Sequence, residues 1–317
     1  MLKITLMDLP IEHLATFAAI LEEGSFEGAA RRLHITPSAV SQRVRAMEQR
    51  TGSVLLQRSR PVAVTAAGAT VLRAARQIER IAADTALELG LGPAGGELIP
   101  IVVNADSLAT WFVPALARAT RETGAYFEVH RADETISTDS LRSGTAMAAL
   151  TATAEAVPGC TSTRVCVDRY HAVASPAFIA EHFPDGVSAA ALARAPLVEF
   201  DRHDVFQQRF LRRVTRASID PPRHYIPSSA EFADAIARGM GWGMVPELQC
   251  AAGLADGSLR TLGDRPILLP LYWQRWKLDS PVLDRLSRVI AEEAAAALGE
   301  PPGAAGRQPA VAKPVTR

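Results

Sequence analysis

The chain has 317 residues, with 34 basic and 34 acidic side chains that leave no formal net charge. A hydrophobic share of 48% beside 21% charged residues is that of a globular protein with a sizeable core, which excludes a disordered chain. There is no apolar run of about 18 residues to span a membrane and no charged-then-apolar leader. Three cysteines without a C-x-x-C spacing give no zinc framework, so the expected location is the reducing cytoplasm.

Residues 8–23 read as a first helix with Leu14, Phe17, Ala18 and Leu21 along its buried stripe and Gly24 as its stop. Phe26, Ala29, Ala30 and Leu33 fall at i, i+3, i+4 and i+7 and predict a second, short helix. His34 and Ile35 interrupt it. Thr36 then has the chemistry of an N-cap, with Pro37 at the first helical position. In the helix that follows, Val40, Val44 and Met47 line one side, and Ser38, Gln42, Arg45 and Gln49 the other, with Ser41 and Arg43 on the flanks. A helix anchored by one face and polar on the other, placed after a short helix and a turn, suits the DNA major groove. Residues 31–60 hold seven arginines (31, 32, 43, 45, 50, 58 and 60) against one acid, Glu48. Such a local positive patch on a neutral chain fits a phosphate-binding surface.

Gly52 ends that helix. Residues 54–56 and 62–64 bracket Arg58, Ser59, Arg60 and Pro61 and predict a two-stranded wing with a basic tip along the sugar-phosphate backbone. Residues 65–91 predict a long helix of about 37 Å. Val71, Ala74, Ile78 and Ile81 form a stripe that a second copy of the chain would cover, holding two recognition helices about 34 Å apart. An ordinary core helix is the alternative.

Residues 91–96 have the composition of a hinge. Beyond it strands and helices alternate. Strands are expected at 98–103, 126–131, 147–151, 165–174, 196–200, 224–227, 241–245 and 267–278. Helices are expected at 109–123, 136–142, 204–213, 229–238 and 281–298. This pattern predicts an α/β fold with mostly parallel sheets. Residues 301–317 are Pro, Gly and Ala with scattered bases, the composition of a disordered tail. Cys160, Cys166 and Cys250 are expected as buried or free thiols, a redox pair at 160 and 166 being the alternative. Ligands in such folds bind beyond the carboxyl ends of strands. That selects Asp106, Ser107, Trp111, Thr151, Asp201, Asp204, Ser228, Ser229 and Glu231. The serines supply donors for a carboxylate, and the acids supply counter-ions for a cation. Helix capping and surface charge are the bland alternatives. No G-x-S-x-G, phosphate-binding loop or H-E-x-x-H is present, so no enzyme, cofactor or metal site is expected.

Ser25-Phe26, the run 29–34, Ala39-Val40-Ser41, Glu48, Gly52, Leu55-Leu56, Arg58, Arg60 and the run 65–68 resemble the N-terminal domain of LysR-type transcriptional regulators over about residues 8–68. Much of that family has Gln after the Ser/Thr cap, where this chain has Pro37, and this puts the family's usual readout at that position in doubt. The version here resembles the LysG/ArgP branch, the regulators of basic amino acid export, as do segments 103–112, 158–160, 241–247 and 271–280.

The resemblance implies a winged helix-turn-helix at 7–66 and a linker helix at 67–91 that makes a homodimer or a dimer of dimers. It also implies a periplasmic-binding-protein-like effector domain at 97–300. In that domain subdomain I takes about 97–165 plus 267–300, and subdomain II about 166–266. The implied effector is L-lysine or L-arginine, closing the cleft between subdomains. The implied partners are a pseudo-palindromic operator in double-stranded DNA and RNA polymerase at an activated exporter gene, with no membrane. Ser38, Ser41, Gln42 and Arg45, behind the Thr36 cap, are the expected base or near-base contacts. Arg31, Arg43, Arg58 and Arg60 are the expected phosphate contacts. Two rivals stay open: an unregulated small-molecule binding protein, and an architectural DNA-binding protein indifferent to effector.

Overall fold

The computed structural model describes residues 9–57, 59–91, 98–131 and 137–299. Arg58, most of the expected hinge and the expected tail lie outside them. The chain divides into two compact units. Unit 1 takes residues 1–104, 116–163 and 273–289, and unit 2 takes 105–115, 164–272 and 290–317.

Unit 1 begins with α1 (Ile11–Glu23), α2 (Phe26–Arg32) and α3 (Pro37–Thr51). Each boundary has a visible cause. Gly24 closes α1 in the left-handed conformation, with φ of 66°. The hydroxyl of Ser25 accepts the Gly28 N–H, and that of Thr36 accepts the Ala39 N–H, so both helices start on side-chain caps. His34, in the turn between α2 and α3, takes the left-handed conformation with φ of 54°. Phe17, Ile20, Ala29, Val40, Met47 and Leu55 form the core of this layer. β1 (Leu56–Gln57) and β2 (Ala63–Val64) pair antiparallel as the wing. Glu48, the one acid of the arginine-rich stretch, accepts the Leu55 N–H at 2.9 Å and ties the wing to α3.

The long helix α4 (Ala66–Glu88) is capped by Thr65, whose hydroxyl accepts the Gly68 N–H at 3.0 Å. Its expected stripe divides. Val71, with Leu72 and Ala75, is buried in the winged layer's own core, and Ile78 packs against it. Ile81, 51% exposed, and Leu89, 68% exposed, are not covered. The 3–4 spacing marked an apolar face correctly, but the first half of that face belongs to this chain's own core. Arg76 donates to the Gly144 carbonyl at 2.8 Å, and Arg73 to that of Pro158 at 3.2 Å. These bonds hold α4 against the α/β layer of the same unit.

That layer contains β3 (Leu98–Val103), β4 (Tyr126–Arg131) and β5 (Ala148–Thr151), with β3 parallel to both others. α6 (Val113–Thr123) and α7 (Ser137–Ser143) connect them. β6 (Cys160–Ala174) and β11 (Ile267–Trp276) carry the chain between the units, at 163/164 and 272/273. Buried Gln274 holds the 153–157 segment, donating to the Thr153 and Glu155 carbonyls and accepting the Val157 N–H. Trp273 and Trp276 are buried, and the Trp273 indole donates to Ser287 of α13 (Pro281–Leu298). They pack the core.

Unit 2 contains α5 (Ala105–Ser107), a π-turn at Leu108–Phe112, α8 (Pro176–His182), α9 (Ala189–Leu192), β7 (Leu197–Glu199), α10 (Phe206–Val214) and β8 (Arg223–Tyr225). It continues with α11 (Ser229–Ala237), β9 (Gly243–Pro246), α12 (Glu247–Asp256) and β10 (Arg260–Thr261). The pairing in this unit is mixed. β7 and β8 are parallel, but β9 and β10 both run antiparallel to β6. β6 is a crossing strand that enters from the other unit rather than from a preceding strand–helix repeat, so the parallel βαβ rule does not govern its direction.

Candidate functional site

Two groups of residues carry the chemistry. The first is the outer face of α3 and the wing. Ser38, Gln42, Arg45 and Gln49 are exposed opposite buried Val40, Val44 and Met47, as the 100° spacing requires. Thr36 spends its hydroxyl on the cap and shares a hydrogen bond of 2.8 Å with Ser38. Ser41 donates to the Pro37 carbonyl at 3.0 Å. Gln42, Arg45 and Gln49 are therefore the side chains of this face without a local duty among the described residues.

The arginines separate by their partners. Arg43 turns back to α1, donating to Thr16 Oγ1 at 2.9 Å and lying 3.5 Å from the Glu12 carboxylate. Its position on the flank is as the spacing indicates, but its charge is spent inside the domain. Arg32 is paired with Glu22. Arg31 and Arg60 are exposed and make no ion pair among the described residues. A surface that keeps Arg31, Arg45 and Arg60 unneutralised is suited to phosphates.

The second group lies in unit 2 around Asp106. Its carboxylate accepts the Tyr170 hydroxyl at 2.7 Å and the Ser229 hydroxyl, and Gln249 Nε2 donates to Ser229 Oγ at 2.8 Å. Tyr170 is buried and stacks on Phe206 with ring centroids 4.3 Å apart. The register Tyr170↔Pro246 places Asp168, two residues earlier on the same face of β6, just past the end of β9 and beside Glu247. Asp168 is 2% exposed. Burial, with Asp106 and Glu247 facing it, pushes its carboxyl up to about 7, against the partial relief of the Arg169 N–H. Burial also raises Asp204, which feels Asp106 as well. Among the described residues no lysine or arginine lies within ion-pair distance of Asp106, Asp168 or Asp204. Carboxylates gathered in this way disfavour one another's ionised form unless a cation joins them.

The other expected residues fall out differently. Ser107 and Trp111 are buried beside Asp106 in the chain, and Ser107 Oγ and Trp111 Nε1 have no hydrogen-bond partner among the described residues. Asp201 accepts the His203 and Asp204 N–H groups, and Asp204 those of Phe200 and Phe206, so both carboxylates serve a local turn. Ser228 donates to Glu231, which keeps that exposed carboxyl below its ordinary range, and the pair sits at the start of α11. Thr151 belongs to unit 1, where it donates to the Thr153 carbonyl. The structure thus joins Asp106 and Ser229 to each other, and it adds Tyr170, Gln249 and Asp168, which sequence reasoning missed. Asp168 had left one legible trace, an acid in the middle of the apolar strand 165–174. Burial drives the thiols of Cys160, Cys166 and Cys250 up to about 11, 12 and 11, away from redox-sensitive thiolates.

Comparison with known proteins agrees with this division. Residues 11–69 match the bacterial regulatory helix-turn-helix proteins of the lysR family, and residues 99–295 match the LysR substrate binding domain. The chain is 41% identical over 280 residues to the HTH-type transcriptional regulator LysG of Mycobacterium tuberculosis, covering 88% of this chain and 91% of that protein. It is 38% identical over 286 residues to the lysine export transcriptional regulatory protein LysG of Corynebacterium glutamicum, covering 90% and 97%. Among solved structures, ArgP from Mycobacterium tuberculosis superposes with a TM-score of 0.83 at 40% identity, covering 90% of this chain and 97% of that one. Full-length LysG of Corynebacterium glutamicum with bound effector Arg superposes with a TM-score of 0.78 at 36% identity, covering 91% and 99%.

Proposed function

The chain belongs to the LysR-type transcriptional regulators, and on that premise we propose that it binds promoter DNA under the control of a basic amino acid, L-arginine or L-lysine. The observation that carries the effector class is the group of carboxylates around Asp106, which has hydroxyl donors but no cation of its own. An acidic or neutral effector would leave that charge unanswered, whereas a basic amino acid answers it. Asp106 and Ser229 hold the α-ammonium, and Ser107 and Trp111 supply donors for the α-carboxylate. That a relative holds Arg as its effector, and that another regulates lysine export, supports this reading. The regulated gene is then an exporter gene activated with RNA polymerase. A second copy of the chain covers exposed Ile81 on α4 and Leu89 just beyond its end, as a homodimer or a dimer of dimers.

On the DNA side, Gln42 and Arg45 read bases, and Arg31 and Arg60 hold phosphates. Two mutants test this division against a promoter fragment selected from genomic DNA and against random duplex. Gln42→Ala should lose about 1–3 kcal/mol on the selected fragment and keep its affinity for random DNA. Arg60→Ala should weaken both and lower the salt slope by about 1. Equal losses on both duplexes for both mutants would reject the assignment.

A further inference from the structure

Asp168 is an unusual residue to bury. It sits in the middle of β6, 2% exposed, and its only hydrogen-bond donor among the described residues is the Arg169 backbone N–H, at 2.7 Å. The charge of its neighbour Arg169 relieves it only in part. Asp106 faces it from α5 and Glu247 from the start of α12. Arg169, on its own strand, pairs with Glu247 at 3.4 Å and points its charge there. Cys166 on β6 and Cys250 on α12 are the remaining titratable neighbours, and both stay as neutral thiols. A second orphan lies in the same network. Gln249 donates through Nε2 to Ser229, while its Oε1 is buried without a donor among the described residues. An acid without a cation and an amide oxygen without a donor share one requirement, a ligand group that is positively charged and rich in N–H.

We propose that Asp168 is the counter-ion for the effector's side-chain guanidinium or ammonium group, and that docking of this cation expels one proton from the Asp168 carboxyl to solvent. This rests on the basic-amino-acid reading above and goes beyond it by assigning the side-chain subsite, its selectivity and its proton linkage. Below pH 7 and before binding, the buried carboxyl is mostly neutral, since burial and two facing carboxylates disfavour its anion. The incoming cation reverses that balance. The O–H bond of Asp168 breaks, its proton passes to buffer, and the carboxylate accepts N–H bonds from the ligand, so that the subsite gains no net charge. A neutral isostere of the effector brings no charge to ionise Asp168 and so releases no proton. Asp168 thus sets the preference for cationic over neutral side chains, while Asp106 serves the α-ammonium common to all amino acids.

The test is calorimetric titration of the full-length protein with L-arginine and with its neutral isostere L-citrulline, in two buffers of different ionisation enthalpy. With the carboxyl near 7, binding of L-arginine should release roughly 0.9 proton per subunit at pH 6 and less than about 0.1 at pH 8.5. L-Citrulline should release none and bind on the order of 100-fold more weakly. Asp168→Asn, which resembles the neutral acid in shape, should abolish the proton release and bring L-arginine to within about threefold of L-citrulline, with L-citrulline affinity unchanged. L-Arginine binding with equal heats in both buffers at pH 6, or an Asp168→Asn protein that keeps its preference for L-arginine, overturns the proposal alone. Failure of any basic amino acid to bind overturns the effector reading together with it.

Discussion

Asp106→Asn should bind L-arginine and L-lysine at least about 30-fold more weakly than the unaltered chain. The loss corresponds to about 2 kcal/mol or more, the low end for removing one member of a buried, hydrogen-bonded charge pair. The substitution keeps the shape of the side chain and one acceptor oxygen. The Tyr170 and Ser229 hydroxyls use different oxygens of Asp106, so one keeps its acceptor and the other turns to accept from the new amide, while the charge is removed. The effector-free protein should not be destabilised, because one of three neighbouring acids no longer opposes Asp168 and Asp204. Thermal unfolding without ligand, followed by calorimetric titration, separates the two effects. Affinity retained within threefold would mean that Asp106 only braces β6 and α11.

Gly68→Ala should disable DNA binding and leave amino acid binding in place. A Cβ at position 68 would lie 1.9 Å from the Leu55 carbonyl oxygen. Leu55 has no room to retreat: it is fully buried, its N–H is held by Glu48, and its carbonyl accepts the Thr65 N–H at 3.0 Å. The clash therefore falls on the junction of wing, recognition helix and α4. We expect a loss of about 3 kcal/mol or more from the winged layer, since overpacking against immobile backbone exceeds the usual 1–3 kcal/mol of a tight core. Urea unfolding monitored in both units, with DNA affinity beside it, checks the result. A protein of unchanged stability and DNA affinity would show that α4 can slide along the wing.

The pH dependence of stability follows from Asp168. Its carboxyl is raised from an ordinary value of 3.8 to about 7 in the folded chain. Between these values the folded state binds more protons than the unfolded one, so stability falls as pH rises from about 4 to 7. Ligand-free Asp168→Asn should lose that part of the slope, which a denaturation series across this window measures.

Local chemistry was legible in the sequence. Thr36 with Pro37, and Gly24, set helix ends by short-range hydrogen bonds and backbone preference, and the structure places those ends where the residues indicate; the Ser25 cap of α2 was not read from the sequence. The buried and exposed sides of α3 followed from period alone. What escaped was convergence over long stretches of chain. Asp106 meets Ser229 across 123 positions, and neither helical nor strand period carries that information. Arg43 was counted with the phosphate ligands because the capture of its guanidinium by Glu12 and Thr16 depends on how α1 packs. Asp201 and Asp204 looked like free counter-ions because an acid gives the same sequence signal whether it caps a turn or faces a ligand. Gln249 went unseen with α12 itself, whose run ELQCAAGLAD has a weak apolar stripe and an internal glycine.

The central claim is that this regulator answers to a basic amino acid. A thermal-shift titration of the full-length protein against the twenty amino acids tests it most directly. A ligand bound only by the folded state at a hundredfold excess over its Kd adds about 2.7 kcal/mol of stability. The account predicts a rise in Tm with L-arginine or L-lysine and none with L-aspartate or L-glutamate. A rise with an acidic amino acid, or no rise with either basic one, would contradict it.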